Sequence, residues 1–234
     1  MFTVTDLTVG YGQHTVLAGV NFSAQPGDCV AILGRNGAGK TTLINALAGV
    51  IASRSGDVAL FDRSLQKLSA DKRNAAGITL VPQGHRIFRS LTVDEHLRIA
   101  EQQRGPTPFT IAALYRLFGV LDARRHQRAG TLSGGEQQIL ALARALVGNG
   151  SVILMDEPTE GLDPARRALL IQTIKTVRDH GAAVVLVEQR VDAALAVAST
   201  ALLLDAGKLE PLGAIKQLQA DPTPIIEKLG MTTQ

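Results

Sequence analysis

The sequence predicts an α/β domain built on a mostly parallel sheet, with a helical segment inserted into it. Short apolar runs of strand length recur at 28–33, 151–157 and 183–187. Residues from about 84 to 150 are instead helical in pattern. Buried parallel strands read as continuous apolar runs and alternate with helices, so this order is typical of an α/β fold.

The composition is that of one globular domain. The chain has 234 residues, of which 45% are apolar and 19% charged, enough for a sizeable core. Its single cysteine, Cys29, lies in an apolar run, which predicts a buried thiol, excludes an intrachain disulfide and fits a reducing cytoplasm. The net charge of +3 comes from dispersed Lys and Arg, and the densest cluster, at 124–128, has no interleaved aromatic residues. We therefore expect no nucleic-acid partner.

The N-terminal residues 1–7 alternate between apolar and polar types, which predicts a first strand. They lack the basic and apolar regions of a signal peptide, and no apolar run is long enough to cross a bilayer. We therefore expect the protein to serve a membrane, if at all, by docking to a membrane partner.

A glycine-rich loop follows the strand at 28–33 and precedes a helix-forming segment that Gly49 closes. Residues 34–42 match the phosphate-binding pattern G-x-x-x-x-G-K-[ST] in the strand–turn–helix context that it needs. Backbone N–H groups and the helix N-terminus would bind phosphates, Lys40 would reach the outer ones and the Thr41 hydroxyl would ligate Mg²⁺. The alternative is a turn without a ligand. The predicted loop consists of Gly34, Arg35, Asn36, Gly37, Ala38, Gly39, Lys40, Thr41 and Thr42.

Within the helical segment, Thr92 is a possible cap for a helix at 93–100, and the proline-rich stretch 104–108 interrupts the segment. Just before this cap, Ile87 and Phe88 lie between basic residues. They are interpreted either as core of the helical segment or as part of a protein interface, which aromatic and Arg residues favour.

A second anion site is predicted before the Ala/Leu-rich helix at 139–147. Ser133 is a good N-cap, and Glu136 stands three residues later, as in a capping box. Capping does not explain the adjacent Gly134 and Gly135, which would expose backbone N–H groups at a helix N-terminus. Two such sites in one chain predict either two ligands or one ligand shared between two chains.

Two carboxylates, Asp156 and Glu157, end the apolar run at 151–157. Because parallel strands end at the ligand crevice, we expect both acids beside a bound nucleotide. Asp156 is the candidate for the metal shell, and Glu157 for the general base that orients the attacking water. The alternative interpretation is a solvated pair at a strand end.

This set of motifs resembles the ATP-binding subunits of ABC transporters over essentially the whole chain. The resemblance implies a P-loop NTPase fold of ABC type, with an N-terminal antiparallel β subdomain and an inserted helical subdomain. Residues 1–83 and 151–234 would form the nucleotide-binding core and about 84–150 the helical subdomain. Tyr11 would stack on adenine, Gln83 would touch Mg²⁺ together with Thr41 and Asp156, and Asp163 would cross a dimer interface.

The resemblance also implies the cofactors ATP and Mg²⁺ and a second ATP-binding subunit, identical or different. ATP on the phosphate loop of one subunit would be capped by Ser133, Gly134 and Gly135 of the other, so one ligand would serve both anion sites. Membrane permease subunits would dock near Gln83 and Phe88, with a solute-binding protein as an indirect partner. The protein would lie peripherally on the cytoplasmic face of the cell membrane.

One position departs from the family pattern. After the strand at 183–187, most ABC ATPases carry a histidine that contacts the γ-phosphate, whereas this chain has Gln189. A glutamine amide can donate a hydrogen bond to a phosphoryl oxygen but carries no positive charge. Gln189 therefore either performs this catalytic task more weakly or leaves hydrolysis to a more active partner, and we expect retained but modest activity.

The segments 156–162 and 187–189 are similar to the short ATPase subunits of branched-chain amino acid importers and their amide or urea relatives. Two other classes stay open. One is a soluble ABC ATPase acting on DNA or ribosomes, although these usually carry a coiled-coil insertion or two fused cassettes. The other is a module that dimerises on ATP with little hydrolysis of its own.

Overall fold

A computed structural model describes residues 1–84, 86–101 and 109–230. The proline-rich stretch 104–108 and His85 lie outside the described residues. The described strands are β1 Phe2–Tyr11, β2 His14–Ala24, β3 Cys29–Leu33, β4 Ser55–Leu60, β5 Arg63–Ser64, β6 Ile78–Val81, β7 Val152–Asp156, β8 Ala183–Glu188, β9 Thr200–Asp205 and β10 Lys208–Gly213. The described helices are α1 Lys40–Leu47, α2 Ala70–Ala76, α3 Val93–Ala100, α4 Ile111–Leu117, α5 Gly119–Asp122, α6 Gly134–Val147, α7 Pro164–Asp179, α8 Val191–Leu195, α9 Ile215–Ala220 and α10 Thr223–Lys228, with a 3-10 helix at Ala129–Thr131.

Among the described residues, the main sheet has six strands in the order β10-β9-β3-β8-β7-β6. The five strands from β9 to β6 run parallel, and β10 pairs antiparallel with β9 at one edge. All residues of β3, β7 and β8 are buried, which explains why these segments read as unbroken apolar runs. The mostly parallel α/β fold is confirmed.

A second sheet, in the order β2-β1-β4-β5, is antiparallel. Its first strand buries Phe2 and Val4 and then Leu7 and Val9, because a register shift after Val4, where Asp6 has a φ of 47°, moves the predicted alternation by one residue. These side chains share a core with the buried face of α1 and with one face of the main sheet. The second sheet therefore packs beside the phosphate-binding loop and its helix, as the resemblance implies.

Helices α3 to α6 lie in the chain between β6 and β7. Their apolar faces share one core with the opposite face of the main sheet, where Leu97 and Leu140 join Met155 and Val184. Thr92 caps α3 as predicted, with a capping box to Glu95. The helical segment thus packs directly onto the strands that carry the site.

The buried position predicted for Cys29 is confirmed, because its exposed fraction is 0%. Gly49 follows the end of α1 with a φ of 76°, the left-handed conformation expected of a glycine that terminates a helix. Within the described ranges, no helix is both long and apolar enough to cross a membrane.

Candidate active site

The site lies where β3, β8 and β7 end side by side. The glycine-rich loop leaves β3, Asp156 is the last residue of β7, and Glu188 is the last residue of β8. The register places Leu33 opposite Glu188 and Asp156 opposite Val187. Ligands of open α/β sheets bind in the crevice beyond these carboxyl ends. The predicted loop and the two predicted acids therefore meet at one edge.

The loop curls around the amino group of Lys40. Lys40 Nζ donates to the carbonyl oxygens of Gly34 at 2.8 Å and Arg35 at 3.0 Å. Gly37 and Gly39 have φ values of 80° and 103°, which other residues rarely adopt. These glycines let the loop turn into α1, which leaves the helix N-terminus facing the crevice, as anion binding requires. Arg35, Asn36 and Gly37 are exposed, while Ala38 and Thr42 are half-buried.

Lys40 also pairs with the predicted base. Its Nζ lies 3.0 Å from Glu157 Oε1, and the two side chains are only 4% and 10% exposed. Glu157 follows β7 with a φ of 47°, an unfavourable backbone region for a residue with a side chain. The lysine charge is therefore balanced inside the chain by the carboxylate that we expect to orient water.

Thr41 and Asp156 form the second pair. Thr41 Oγ1 donates to Asp156 Oδ1 at 3.4 Å. Burial raises the pKa of Asp156 above its usual value, and the Thr41 hydrogen bond only partly opposes this. A buried carboxylate next to a hydroxyl oxygen is the donor set that suits Mg²⁺, because a cation would compensate the buried charge. The residues present thus fit a magnesium ion held together with phosphate oxygens.

Gln189 contacts both the loop and the predicted base. Its amide Nε2 donates to Asn36 Oδ1 and lies 3.1 Å from Glu157 Oε1. Gln189, which stands where the resembled family has a histidine, therefore lies beside both the glycine-rich loop and Glu157. Since its amide is already directed at the Glu157 carboxylate, it can position this group as well as donate to a phosphate.

Gln83 and Tyr11 are the residues predicted to contact the metal and the adenine. Gln83 Nε2 donates to Glu160 Oε2 at 2.9 Å, across the described cavity of about 330 Å³ that also borders Glu157 and Gln189. Tyr11 is 52% exposed at the end of β1. In this conformation Gln83 bonds a carboxylate rather than the metal pair, so metal contact by Gln83 and adenine stacking by Tyr11 stay predictions.

Ser133 caps α6 through the predicted capping box, with Glu136 N to Ser133 Oγ at 3.4 Å and Ser133 N to Glu136 Oε2 at 2.9 Å. Ser133 and Gly134 are exposed, whereas Gly135 is buried. A Cβ on Gly135 would lie 2.7 Å from Arg166 Cδ, so this side chain covers the second glycine. The predicted second anion site thus presents Ser133 and Gly134 outward.

Ile87 and Phe88, which follow Gln83 in the chain, differ in how they pack. Ile87 packs against the core of the helical segment, as the first interpretation holds. Phe88 is 58% exposed, and its ring centroid lies 5.8 Å from that of His96. An exposed aromatic ring suits an interface, so the docking role of Phe88 stays a prediction.

The predicted interface residue Asp163 caps α7 in the single chain. Its Oδ1 accepts from Arg166 N at 3.0 Å and its Oδ2 from Arg166 Nη1, also at 3.0 Å. Its role across a dimer interface stays a prediction.

Sequence reasoning missed two polar residues beside the site. Glu188 is 2% exposed, and its Oε1 accepts a hydrogen bond from Thr159 N at 3.1 Å. Gln138 is 4% exposed, and its Nε2 donates to the carbonyl of Pro158 at 3.0 Å. Both had a visible signal: Glu188 ends an apolar run just as Asp156 does, and Gln138 precedes an otherwise apolar helical stretch.

A family model described as "ABC transporter" matches residues 17–160. The chain is 35% identical to the high-affinity branched-chain amino acid transport ATP-binding protein BraG of Pseudomonas aeruginosa, over 89% of this chain and 91% of that protein. It is 34% identical to the probable branched-chain amino acid transport ATP-binding protein LivF of Archaeoglobus fulgidus, over 93% and 94% of the two chains. It is also 32% identical to the Nod factor export ATP-binding protein I of Paraburkholderia xenovorans, but covers 69% of that protein.

Among solved structures, an ATP-binding subunit of an ABC transporter has a TM-score of 0.82 at 25% identity, over 100% of this chain and 95% of that one. A dimeric ATP-binding cassette in a post-hydrolysis state, bound to ADP and Pi, has a TM-score of 0.78 at 25% identity, over 92% and 100% of the two chains.

Proposed function

This chain belongs to the ABC transporter family of ATPases, and we propose that it powers an importer of branched-chain or other hydrophobic amino acids. The observation that carries the catalytic part is the meeting of Lys40, Asp156, Glu157 and Gln189 at one sheet edge. The importer part is supported by relatives of nearly the same length, of which the chain covers 91% and 94%. The export relative is longer, which favours import over export.

The chemistry is hydrolysis of ATP to ADP and phosphate. Lys40 would exchange its carbonyl and Glu157 contacts for phosphate oxygens, and the backbone N–H groups of the loop would bind the remaining oxygens. Thr41 and Asp156 would hold Mg²⁺, which when bound neutralises phosphate charge. Once released by Lys40, the Glu157 carboxylate would accept a proton from the attacking water, and Gln189 would orient this carboxylate.

The remaining site residues would act from the rim or from a second chain. Tyr11 would contact the adenine, Gln83 would sense the metal, and Arg35, Asn36, Ala38 and Thr42 would complete the loop. The exposed Ser133 and Gly134, with Gly135, would cap a nucleotide held by a partner subunit. One known cassette of this fold is dimeric, which supports this arrangement.

We further propose that residues 1–83 with 151–234 act as the nucleotide-binding core and about 84–150 as the helical subdomain. Permease subunits would dock near Gln83 and the exposed ring of Phe88, which would hold the protein peripherally on the cytoplasmic face of the membrane. A solute-binding protein would be the indirect partner. The conformational change that follows hydrolysis would then be transmitted to the permease through the helical segment, which shares one core with the strands of the site.

Steady-state ATP hydrolysis across a range of protein concentrations tests the catalytic part, with Glu157→Gln as the control. Specific activity that rises with concentration and disappears in the control supports a dimeric, self-competent ATPase. Full activity that does not depend on concentration would contradict a shared site. No activity above the control would favour the alternative of a dimerising module that relies on a more active partner.

Uptake of labelled leucine by cells that carry wild-type protein or Glu157→Gln tests the importer part. We expect uptake to be lost in the variant while the protein level is unchanged. Unchanged leucine uptake together with lost urea or amide uptake would favour the related importers. No change for any solute would favour a soluble ABC ATPase.

A further inference from the structure

We propose that Gln138 and Glu188 are positioning residues that fix the turn after Glu157 and thereby hold its carboxylate where hydrolysis needs it. The inference rests on the proposed function, because it assigns to Glu157 the task of orienting water. It concerns two buried polar side chains that come from opposite sides of the site, one on α6 and one at the end of β8.

The turn begins at Glu157 itself. Glu160 N donates to the Glu157 carbonyl at 3.1 Å, which closes a β-turn with Pro158 and Thr159 at its centre. Proline at the first central position is typical of such turns. Glu157 has a φ of 47°, so the surrounding contacts must hold it in an unfavourable conformation. Any contact that fixes this turn therefore also fixes the backbone of Glu157, from which its side chain extends.

The central peptide of this turn is held from both sides. The Pro158 carbonyl accepts from Gln138 Nε2 at 3.0 Å, and the Thr159 N–H of the same peptide donates to Glu188 Oε1 at 3.1 Å. The orientation of the central peptide is what distinguishes the common turn types. Because a flip would break both bonds and leave buried polar groups unpaired, the two side chains select one orientation.

Gln138 and Glu188 each lie close in the chain to a predicted site residue. Gln138 stands on α6, whose N-cap is Ser133, and Glu188 is followed by Gln189, which contacts the Glu157 carboxylate at 3.1 Å. Gln138 and Glu188 are 4% and 2% exposed, so water does not compete for their bonds. The turn thus connects Glu157 to helix α6, which Ser133 caps, and to β8, which Gln189 follows.

Variants that differ only in hydrogen-bonding capacity test this inference. Gln138→Met keeps an unbranched side chain without a donor, Glu188→Gln keeps an acceptor oxygen, and Glu188→Met removes it. We expect kcat for ATP hydrolysis to fall about tenfold or more in both Met variants, with KM within about twofold of wild type. Glu188→Gln should keep kcat within about threefold. Gln219→Met is the matched control, since the exposed Gln219 also donates to a backbone carbonyl, that of Leu195 at 2.8 Å, but makes no bond to the turn at 157–160.

A second readout reports the turn directly. In protein with ¹⁵N-labelled threonine, the Thr159 amide should exchange slowly with solvent in wild type and in Glu188→Gln, and faster in Glu188→Met. If Gln138→Met fails to fold, the two Glu188 variants still decide the matter. Equal kcat in these two, or a Gln138→Met kcat equal to that of the Gln219→Met control, would overturn the inference.

Glu157→Gln separates this inference from the proposed function. If Glu157→Gln is inactive while both Met variants hydrolyse ATP normally, the positioning role is wrong and the role of the base stands. If Glu157→Gln itself turns over normally, the role of the base is wrong, and the positioning role fails with it.

Discussion

Lys40 and Glu157 form a buried ion pair, with Nζ 3.0 Å from Oε1 and side chains that are only 4% and 10% exposed. The residue expected to bind the outer phosphates thus neutralises the residue expected to orient water. If Lys40 binds the outer phosphates as proposed, ATP would replace this ion pair, and the replacement would release the carboxylate. Nucleotide binding and release of the proposed base would then be one event.

Lys40→Ala should weaken nucleotide binding by about tenfold or more, because a charge-assisted contact to phosphate is lost. Titration with a fluorescent ATP analogue measures the Kd. Lys72→Ala, which removes an exposed lysine of α2, is the control and should bind as wild type does. Equal affinity of the two variants would contradict the role of Lys40.

Glu157→Gln should lower kcat by about a hundredfold or more while ATP binding is retained, since an amide cannot accept the proton of the attacking water. With ATP the variant should also accumulate as a dimer, visible by size-exclusion chromatography. Glu210→Gln, on the exposed face of β10, is the matched control. Normal ATP turnover by Glu157→Gln would contradict the role of Glu157 as the general base.

Gln189 should support hydrolysis through its amide. Gln189→Leu should lower kcat by about tenfold because both its contacts, to Asn36 and to Glu157, are lost. Gln189→His should change kcat by less than about tenfold. A gain of about a hundredfold in the histidine variant would instead mean that the native site is impaired, which favours the dimerising-module alternative.

Ser133 and Thr92 provide a matched pair, because each caps a helix through a capping box. Replacing either by alanine should cost about 1 kcal/mol in the free energy of unfolding. Only Ser133→Ala should also lower ATP hydrolysis, since we expect its hydroxyl to contact a nucleotide on the partner subunit. Urea unfolding and steady-state ATPase assays measure the two effects. Equal loss of activity in both variants would show that capping alone explains the serine.

Cys29 should make the stability of the protein fall at alkaline pH. Burial raises the pKa of its thiol from 9.0 to about 12, so the folded state keeps a proton that the unfolded state loses. Stability attributable to this thiol is therefore full below pH 9.0 and declines as pH rises toward about 12. One pH unit above the unfolded pKa, the loss should be about 1 kcal/mol relative to Cys29→Ala. Urea unfolding of both proteins on either side of pH 9.0 measures it; parallel pH profiles would contradict it.

Much of the fold could be predicted because local chemistry dictates it. Apolar runs became β3, β7 and β8, and both capping boxes formed as their spacing indicated. The glycine-rich loop and the two acids could be placed at one sheet edge from the sequence, because the loop follows one apolar run of strand length and the acids end another. The sequence could not reveal that Lys40 binds Glu157 or that Gln138 reaches Pro158, since these contacts depend on how distant elements pack.

The position of β3 in the sheet has a consequence for protein synthesis. Its two neighbours, β8 and β9, are both made long after it, with Cys29 pairing opposite Val184. Until β8 and β9 leave the ribosome, β3, which carries the glycine-rich loop, has no neighbouring strand to pair with. A nascent chain that stops before Ala183 therefore lacks the platform of the loop, and capture of ATP by stalled chains would report the moment at which β8 emerges.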